Sequence, residues 1–575
     1  MPIINYSQQT KLLRHRKNQT QEQAAEEMGY HAVSLSRMET GAQLPRSGRI
    51  PHDALSFPLL GATPNALNRS QQFLLMEQNN CPPAEMFPLI DEALRQLNHT
   101  PLLFEEVTLL HLQARTYQRA GNLPHAIKLL QSLQTKINDL PTWDKDKERQ
   151  QVPVLLTLAR CQLQARQYED TIQTCERGFH LSATRCQASQ VPDFMYLQAQ
   201  AMYALGREGF APLLRNAYFC YSLMHKKDAA EEVLQTAESM GVTINTYGVD
   251  TLQYTPRPTT PYAHDSLANY KSIGGMIRTL RKKSGFTLME LAQGICSKTQ
   301  LQKIESDAVQ GKLHHLEPLM QRLGRDVHLY VPFYFKQDDF LDVQMRENIN
   351  TAQIVGDYAK SAELLDILKQ KKEYKDGANL QFIKRVEANI FHAKNGSSHP
   401  HIRTLFEEAM KITCPQFNEM HIDKYPLTHT ETILINLLAI HYGAAKDFPR
   451  TLNIFKCLLE NMKQSYTDET EKSRMFSAII FNYSQHLGRA GQRHAALGVV
   501  EEGITYEQDR GRLFSLPELT YIKAYNLYEI GKKDESLPYF VQAYYGVTTL
   551  LNYGFIEHQK IAARVVSERF GIVFE

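Results

Sequence analysis

The sequence predicts an all-α protein: two helix-turn-helix domains, each followed by a superhelix of stacked helix pairs. Three observations carry that expectation. Two stretches, near 20–40 and 273–304, space their apolar residues as a short helix, a tight turn and a second short helix. Long segments between and after them repeat small residues at fixed offsets, as closely packed helix pairs require. Strand-like alternation is scarce. A chain of 575 residues also exceeds one hydrophobic core, so several domains are expected.

Residues 1–60 form the first predicted head. Leu12-Leu13-Arg14 ends a helix, and Thr20 caps the next, Gln21 to Met28. Gly29 makes the turn. His31 to Glu39 forms the third helix, closed by Thr40-Gly41. The acids Glu22, Glu26 and Glu27 dilute its charge.

Residues 85–249 read as helical pairs. Ala114, Tyr117, Gly121 and Ala126 mark the first pair, Ala159 and Thr171 the second, and Ala199, Gly206 and Ala211 the third. Small residues let two antiparallel helices approach, and Gly or a polar residue turns the chain between them. This is the tetratricopeptide pattern. Its regular period is ~34 residues, and the spacing here is irregular, nearer ~40. Each pair buries its apolar face only by stacking on its neighbours, which makes a superhelix with a concave inner surface. Residues 250–270 form a linker, because Thr255-Pro256-Arg257-Pro258-Thr259-Thr260-Pro261 cannot be helical.

The second head spans 271–326. Ile273, Ile277 and Leu280 form the buried side of a helix that ends at Gly285. Thr287 and Glu290 make a capping box, Leu291 and Ala292 face inward, and Ser297 caps a third helix whose Leu301 and Ile304 return to the core. Between Lys271 and Lys303 there are seven Lys or Arg and one acid, Glu290. A merely solvated face usually mixes signs, so the bias points to a nucleic-acid surface.

The residues Ile277-Arg278, Leu280-Arg281, Gly285, Thr287, Glu290-Leu291-Ala292, Ser297, Leu301 and Lys303-Ile304-Glu305 resemble the Xre (Cro/CI-type) helix-turn-helix family. Gly294-Ile295-Cys296-Ser297 more narrowly resembles the Rgg and PlcR regulators, peptide-responsive proteins of Gram-positive bacteria. One departure is Leu288, where the family usually places a phosphate-contacting Gln. The first head keeps that residue as Gln21, and Ser36 stands where a small hydroxyl is common, but Ala24 replaces the usual Leu. The resemblance implies that Lys298, Thr299, Gln300 and Gln302 face the DNA groove while Arg281, Lys282 and Lys303 meet phosphates. The corresponding candidates in the first head are Gln21, His31, Ser34, Ser36 and Arg37; the alternative there is a degenerate domain kept for packing.

Helical pairs resume over 337–575. Ser484, Gly491 and Ala496, then Ala524, Gly531 and Ser536, hold the small-residue positions. The order of head, repeats, linker, head and repeats reads as a tandem duplication whose second copy resembles a whole Rgg/PlcR-type regulator. Asn436 and Asn482 sit in strongly apolar helices, where an amide must find partners. In the resembled regulators, asparagines on inner helices hold a signalling peptide. The alternative is an inter-helix hydrogen bond or a helix end. Tyr521 and Tyr525 could wall the same pocket, with core packing the alternative.

No catalytic or phosphate-loop signature occurs, so the chain reads as a non-enzyme that needs no cofactor. His314-His315 and His399/His401 lack Cys or carboxylate companions at metal-ligand spacing and read as surface histidines. The eight cysteines are scattered and read as reduced thiols. Net charge is +2, no apolar run of membrane length occurs, and the start lacks a signal-peptide pattern, so a cytoplasmic chain is expected. The expected partners are double-stranded DNA and a signalling peptide or partner protein, with the heads acting as an intramolecular pseudo-dimer or in a homodimer. The competing function is a protein-interaction scaffold with vestigial heads.

Overall fold

A computed structural model describes residues 14, 19–27, 32–39, 73, 76–77, 79–97, 103–140, 144–182, 188–252, 273–309, 311–325, 337–354, 356–396, 399–465, 469–550 and 556–574. Among them every regular element is helical. The chain packs as two compact units. One comprises Met1–Ser222 with Lys226–Asn245 and Pro332–Leu341, the other Leu223–His225, Thr246–Val331 and Asp342–Glu575.

In the first unit, α1 (Gln21–Glu27) and α2 (Ala32–Glu39) pack on each other. The helices α3 (Pro83–Leu97), α4 (Leu103–Arg119), α5 (Leu123–Asn138), α6 (Asp144–Gln164), α7 (Tyr168–Ser182), α8 (Val191–Ala204), α9 (Phe210–Leu223) and α10 (Lys227–Ser239) follow. From α3 to α8 each helix packs on the next.

The second unit begins with α11 (Ile273–Lys283), α12 (Leu288–Ala292), α13 (Lys298–Glu305) and α14 (Leu313–Arg322). The repeats are α15 (Gln337–Ile354), α16 (Tyr358–Lys369), α17 (Gly377–Asn395), α18 (His401–Thr413), α19 (His429–Ala444), α20 (Phe448–Ser465), α21 (Glu469–Arg489), α22 (Arg493–Gln508), α23 (Leu516–Glu529), α24 (Lys533–Leu550) and α25 (Ile556–Phe570).

One turn recurs through both sets of repeats. Among the described residues, a residue in the left-handed conformation separates two successive helices at Gly121, Arg166, Gly206, Gly356, Lys446, Gly491 and Gly531, with φ between +60° and +89°. The next residue's N–H reaches back to a carbonyl five positions earlier, as in Asn122 to Tyr117 at 2.9 Å, Asp447 to Tyr442 at 3.0 Å and Lys532 to Leu527 at 3.0 Å. These are Schellman caps, which satisfy carbonyls orphaned at a helix end. Counting from that residue fixes the packing. Seven positions before it stand Ala114, Ala159, Ala199, Ala439, Ser484 and Ala524, all 0% exposed, with the larger Ile349 in that place before Gly356. Five positions after it stand Ala126, Thr171, Ser361, Thr451, Ala496 and Ser536, also 0% exposed. Ala211 holds the same position but is only half-buried. Small side chains at these two points let paired helices touch without a void.

Candidate nucleic-acid interface

The second head is assembled by local rules that the sequence displays. Gly285, at φ +75°, ends α11, and Phe286 N–H bonds back to the Arg281 carbonyl at 3.1 Å. Thr287 and Glu290 close a reciprocal capping box on α12. Two hydrogen bonds from Thr287 hold the Glu290 carboxyl below its ordinary pKa, so the one acid of the stretch is engaged at a helix end. Ser297 caps α13 by accepting from Gln300 N–H at 3.1 Å.

The apolar side of this head is sealed. Met276, Ile277, Leu280, Leu291, Ala292, Leu301 and Ile304 are all buried. Ile273 is half-buried at the edge. α11 and α13 also meet backbone to backbone, because a Cβ added at Gly274 would lie 2.1 Å from the Ile304 carbonyl oxygen. The opposite side of α13 faces outward: Lys298, Thr299, Gln302 and Lys303 are exposed and Gln300 is half-buried. Lys282, at the end of α11, is exposed too.

Arg281 corrects the sequence expectation. Its Nε and Nη2 grip both oxygens of Glu305 at 2.6 and 2.8 Å, and its Nη1 donates to the Phe286 carbonyl at 2.9 Å. The side chain is 11% exposed and the carboxylate 6%. A guanidinium held this way clamps α11 to α13 and spends three of its five N–H donors inside the head. Arg14 makes the matching bond in the first head, donating to the carbonyl five residues on, Gln19, at 3.2 Å.

That head is described only in part. Thr20 caps α1 in a box closed by Gln23, and Ala24, Ala25 and Leu35 form its small core. Gln21 and Ser36 are half-buried and Arg37 is exposed. His31 and the Ser34 side chain lie outside the described residues. With buried Leu35 matched to buried Leu301, Ala32 and Val33 stand where the second head has Lys298 and Thr299.

A polar network fastens the second head to its repeats. Arg322, at the end of α14, donates to the carbonyls of Leu291 (3.0 Å), Gln293 (2.6 Å) and Thr413 (3.3 Å), and to Glu431 Oε1 (2.8 Å). Glu431 in turn accepts from the Thr413 hydroxyl (2.5 Å) and from Thr428 N–H (2.6 Å). Gly294, in the turn before α13, lies so close that a Cβ would meet Thr413 Cα at 2.2 Å. Nothing in the sequence spacing announces these contacts, because Arg322 and Glu431 are far apart along the chain.

The candidate peptide contacts fall on neighbouring helices. Asn482 Nδ2 donates to Asn436 Oδ1 at 3.1 Å, joining α21 to α19. This is the inter-helix alternative. Tyr521 is not a pocket wall. It is 6% exposed, stacked on Tyr525 at 6.2 Å and edge-on to Phe540 at 6.1 Å, and burial drives its pKa up. Tyr525 is half-buried under the Arg493 guanidinium, 5.4 Å away.

His314 and His315 stack edge to face at 4.3 Å, and burial first, with His314 and Lys312 beside it, pushes His315 down to about 4. Among the described residues no group of His, Cys, Asp and Glu is arranged to hold a metal ion, and no helix is long and apolar enough to cross a membrane.

Comparison with known proteins adds one match on the first head: a helix-turn-helix domain model fits residues 8–51. No curated protein matches the sequence. Among solved structures the chain is similar to Bacillus thuringiensis PlcR in complex with the peptide PapR7 and DNA, at 15% identity and a TM-score of 0.33, covering 51% of this chain and 98% of that one. It is also similar to the APC/C hetero-tetramer Cut9-Hcn1, at 12% identity and a TM-score of 0.28, covering 86% of this chain and 95% of that one.

Proposed function

We propose that the chain is a sequence-specific, DNA-binding transcriptional regulator in the cytoplasm. Two Xre-type heads, the products of a tandem duplication, are carried on tetratricopeptide-like repeats, and a small peptide bound on the inner helices of the C-terminal repeats controls them. The observation that carries the DNA reading is the two-sidedness of α13. Leu301 and Ile304 are sealed into the head, while Lys298, Thr299, Gln302 and Lys303 stand in solvent with no acid paired to either lysine among the described residues. A helix of this kind, preceded by a tight turn and a capped helix, fits the major groove. Lys298, Thr299, Gln300 and Gln302 read base edges, and Lys282 and Lys303 neutralise phosphates. Support for peptide control is the resemblance of Gly294-Ile295-Cys296-Ser297 to the Rgg/PlcR regulators, together with the bonded pair of amides, Asn436 and Asn482, on neighbouring helices of the C-terminal repeats.

The test is selection of bound sequences from a random DNA pool, followed by salt titration of the selected duplex. Lys298→Ala and Gln300→Ala should each cost about 1–3 kcal/mol and relax base preference at one position. Lys303→Ala should weaken all sequences alike and reduce the log–log salt slope by about 1. Salt-insensitive retention, or no selected sequence, refutes the proposal.

A further inference from the structure

A cleft lies within the second unit where the head's last helix meets the first repeats. Its walls come from α14 (His314, Glu317, Gln321), α15 (Arg346, Glu347, Asn350), α17 (Asn379, Phe382, Arg385) and the first turn of α19. Its volume is about 60 Å³. One water needs roughly 10–15 Å³ by that measure, so a small polar group fits and a folded segment does not.

Arg385 is the group that calls for a ligand. Its residue is 4% exposed. Its Nη2 donates to a neutral acceptor, Asn350 Oδ1, at 2.7 Å, and its Nε is buried with no hydrogen-bond partner. The guanidinium lies 4.9 Å from the centre of the Phe382 ring. Desolvation, opposed only by Glu347, drives its pKa down to about 10. Arg346, across the cleft, differs. It is ion-paired to Glu317 at 2.5 Å, and its pKa is raised because Glu317, Tyr374 and Glu347 outweigh its burial. Its Nε too is buried without a partner. Arg346 and Arg385 thus both line the cleft, each with a buried Nε that has no hydrogen-bond partner, and Arg385 carries a positive charge with no hydrogen-bonded anion. The first turn of α19 also lines the cleft, with its His429 N–H donating to Gln321 and its Glu431 N–H to Thr428.

We propose that this cleft binds a ligand carboxylate, held by the guanidinium of Arg385. A planar carboxylate matches the fork of N–H donors that a guanidinium presents. Glu317 and Glu347 on the same walls repel a dianion such as phosphate, and the small volume admits one carboxyl group rather than an extended chain. The carboxyl is either that of a small organic acid or the C-terminus of a longer ligand running out of the cleft. Because α14 belongs to the head and α15, α17 and α19 to the repeats, an occupant touches both.

The test is calorimetric titration of the full chain, without DNA, so that its failure is separate from failure of the DNA reading. The probes are acetate, succinate, a pool of short peptides with free C-termini, the same pool C-amidated, and inorganic phosphate. The expected result is saturable binding of a free-acid probe, weakened at least about tenfold by Arg385→Gln. Binding of acetate or succinate identifies a small-acid source; binding of free-acid peptides but not their amides identifies a peptide terminus. Glu347→Gln should tighten the same probe, a gain that misfolding cannot mimic. Three results overturn the proposal: no saturable binding of any free acid, equal binding of the amidated pool or of phosphate, or affinities untouched by both substitutions.

Discussion

Replacing Arg322 by Met tests whether the second head is bolted to its repeats or merely rests on them. The Arg322 and Glu431 side chains are 2% and 1% exposed. Arg322→Met preserves bulk but removes four donor contacts, leaving three carbonyls and one carboxylate in the interior. Breaking a buried ion pair from one side costs about 3–5 kcal/mol, because the remaining charge has lost its partner. The stranded carbonyls of Leu291 and Gln293 belong to α12 and the turn before α13, so the loss falls on the head. Hydrogen–deuterium exchange of peptides covering 288–305 reads that local opening directly in the full chain. Exchange there should accelerate by roughly two to four orders of magnitude in Arg322→Met. Adding Glu431→Gln removes the orphaned charge while its amide oxygen still accepts from Thr413 or Thr428, so the double variant should be more protected than the sum of the single effects, by about 1–2 kcal/mol. A change under about 1 kcal/mol in Arg322→Met, or strict additivity, would refute the idea that this network holds the head in place.

Three further expectations follow from individual positions. Gly274→Ala pushes a methyl against the Ile304 carbonyl, 2.1 Å away, so it should unseat α11 from α13, costing about 1–3 kcal/mol or more, seen as lost protection in 273–305. Arg166→Gly and Lys446→Gly relieve left-handed conformations at φ +60° and +64°, and each should stabilise its unit by about 0.5–1 kcal/mol in thermal unfolding. His111, hydrogen-bonded to Thr157 at 2.8 Å, is driven by burial down to about 4. It stays neutral in the fold while the unfolded chain protonates near 6.5. Stability of α4 and α6 is therefore full above about 6.5, declines as pH falls toward about 4, and is flat below, with a total near 3 kcal/mol that His111→Gln should remove.

Local rules were legible in the sequence and long-range ones were not. The Thr287–Glu290 box, the Gly285 stop and the buried Leu301 and Ile304 all rest on interactions within a few residues, so spacing alone reveals them. The turns read from the sequence are those where Gly stands with small residues at both offsets or one of them, as at Gly121, Gly206, Gly491 and Gly531; Gly356, with Ile349 seven before it, is not among them. The turn at Lys446 was missed because an ordinary residue takes the left-handed conformation there, and no composition cue records that. Thr171 was found through its offset, although its turn residue is Arg166. The role of Arg281 was misread for a different reason. A basic residue on a helix-turn-helix looks like a phosphate contact until its partner is known, and Glu305 lies on another helix. Tyr521 failed similarly: one face of α23 looked like a pocket wall because the sequence does not say that Phe540 covers it.

The correction at Arg281 bears on how the two heads compare. Arg14 bonds to the carbonyl of Gln19 as Arg281 bonds to that of Phe286. In the second head this arginine is a brace between α11 and α13, and in the first head it makes the same carbonyl bond. On the DNA-binding reading, affinity then comes from Lys282 and the exposed residues of the third helix. Matched through Leu35 and Leu301, Arg37 takes the place of Lys303, but Ala32 takes the place of Lys298 and Val33, 66% exposed, that of Thr299. On the DNA-binding reading the first head therefore offers a phosphate anchor and an apolar contact suited to a thymine methyl, while the second reads with charged and polar groups. Two such heads on one site require unlike half-sites, so selected sequences should be imperfect palindromes. A perfectly symmetric selected sequence would mean that two second heads, from two chains, share each site.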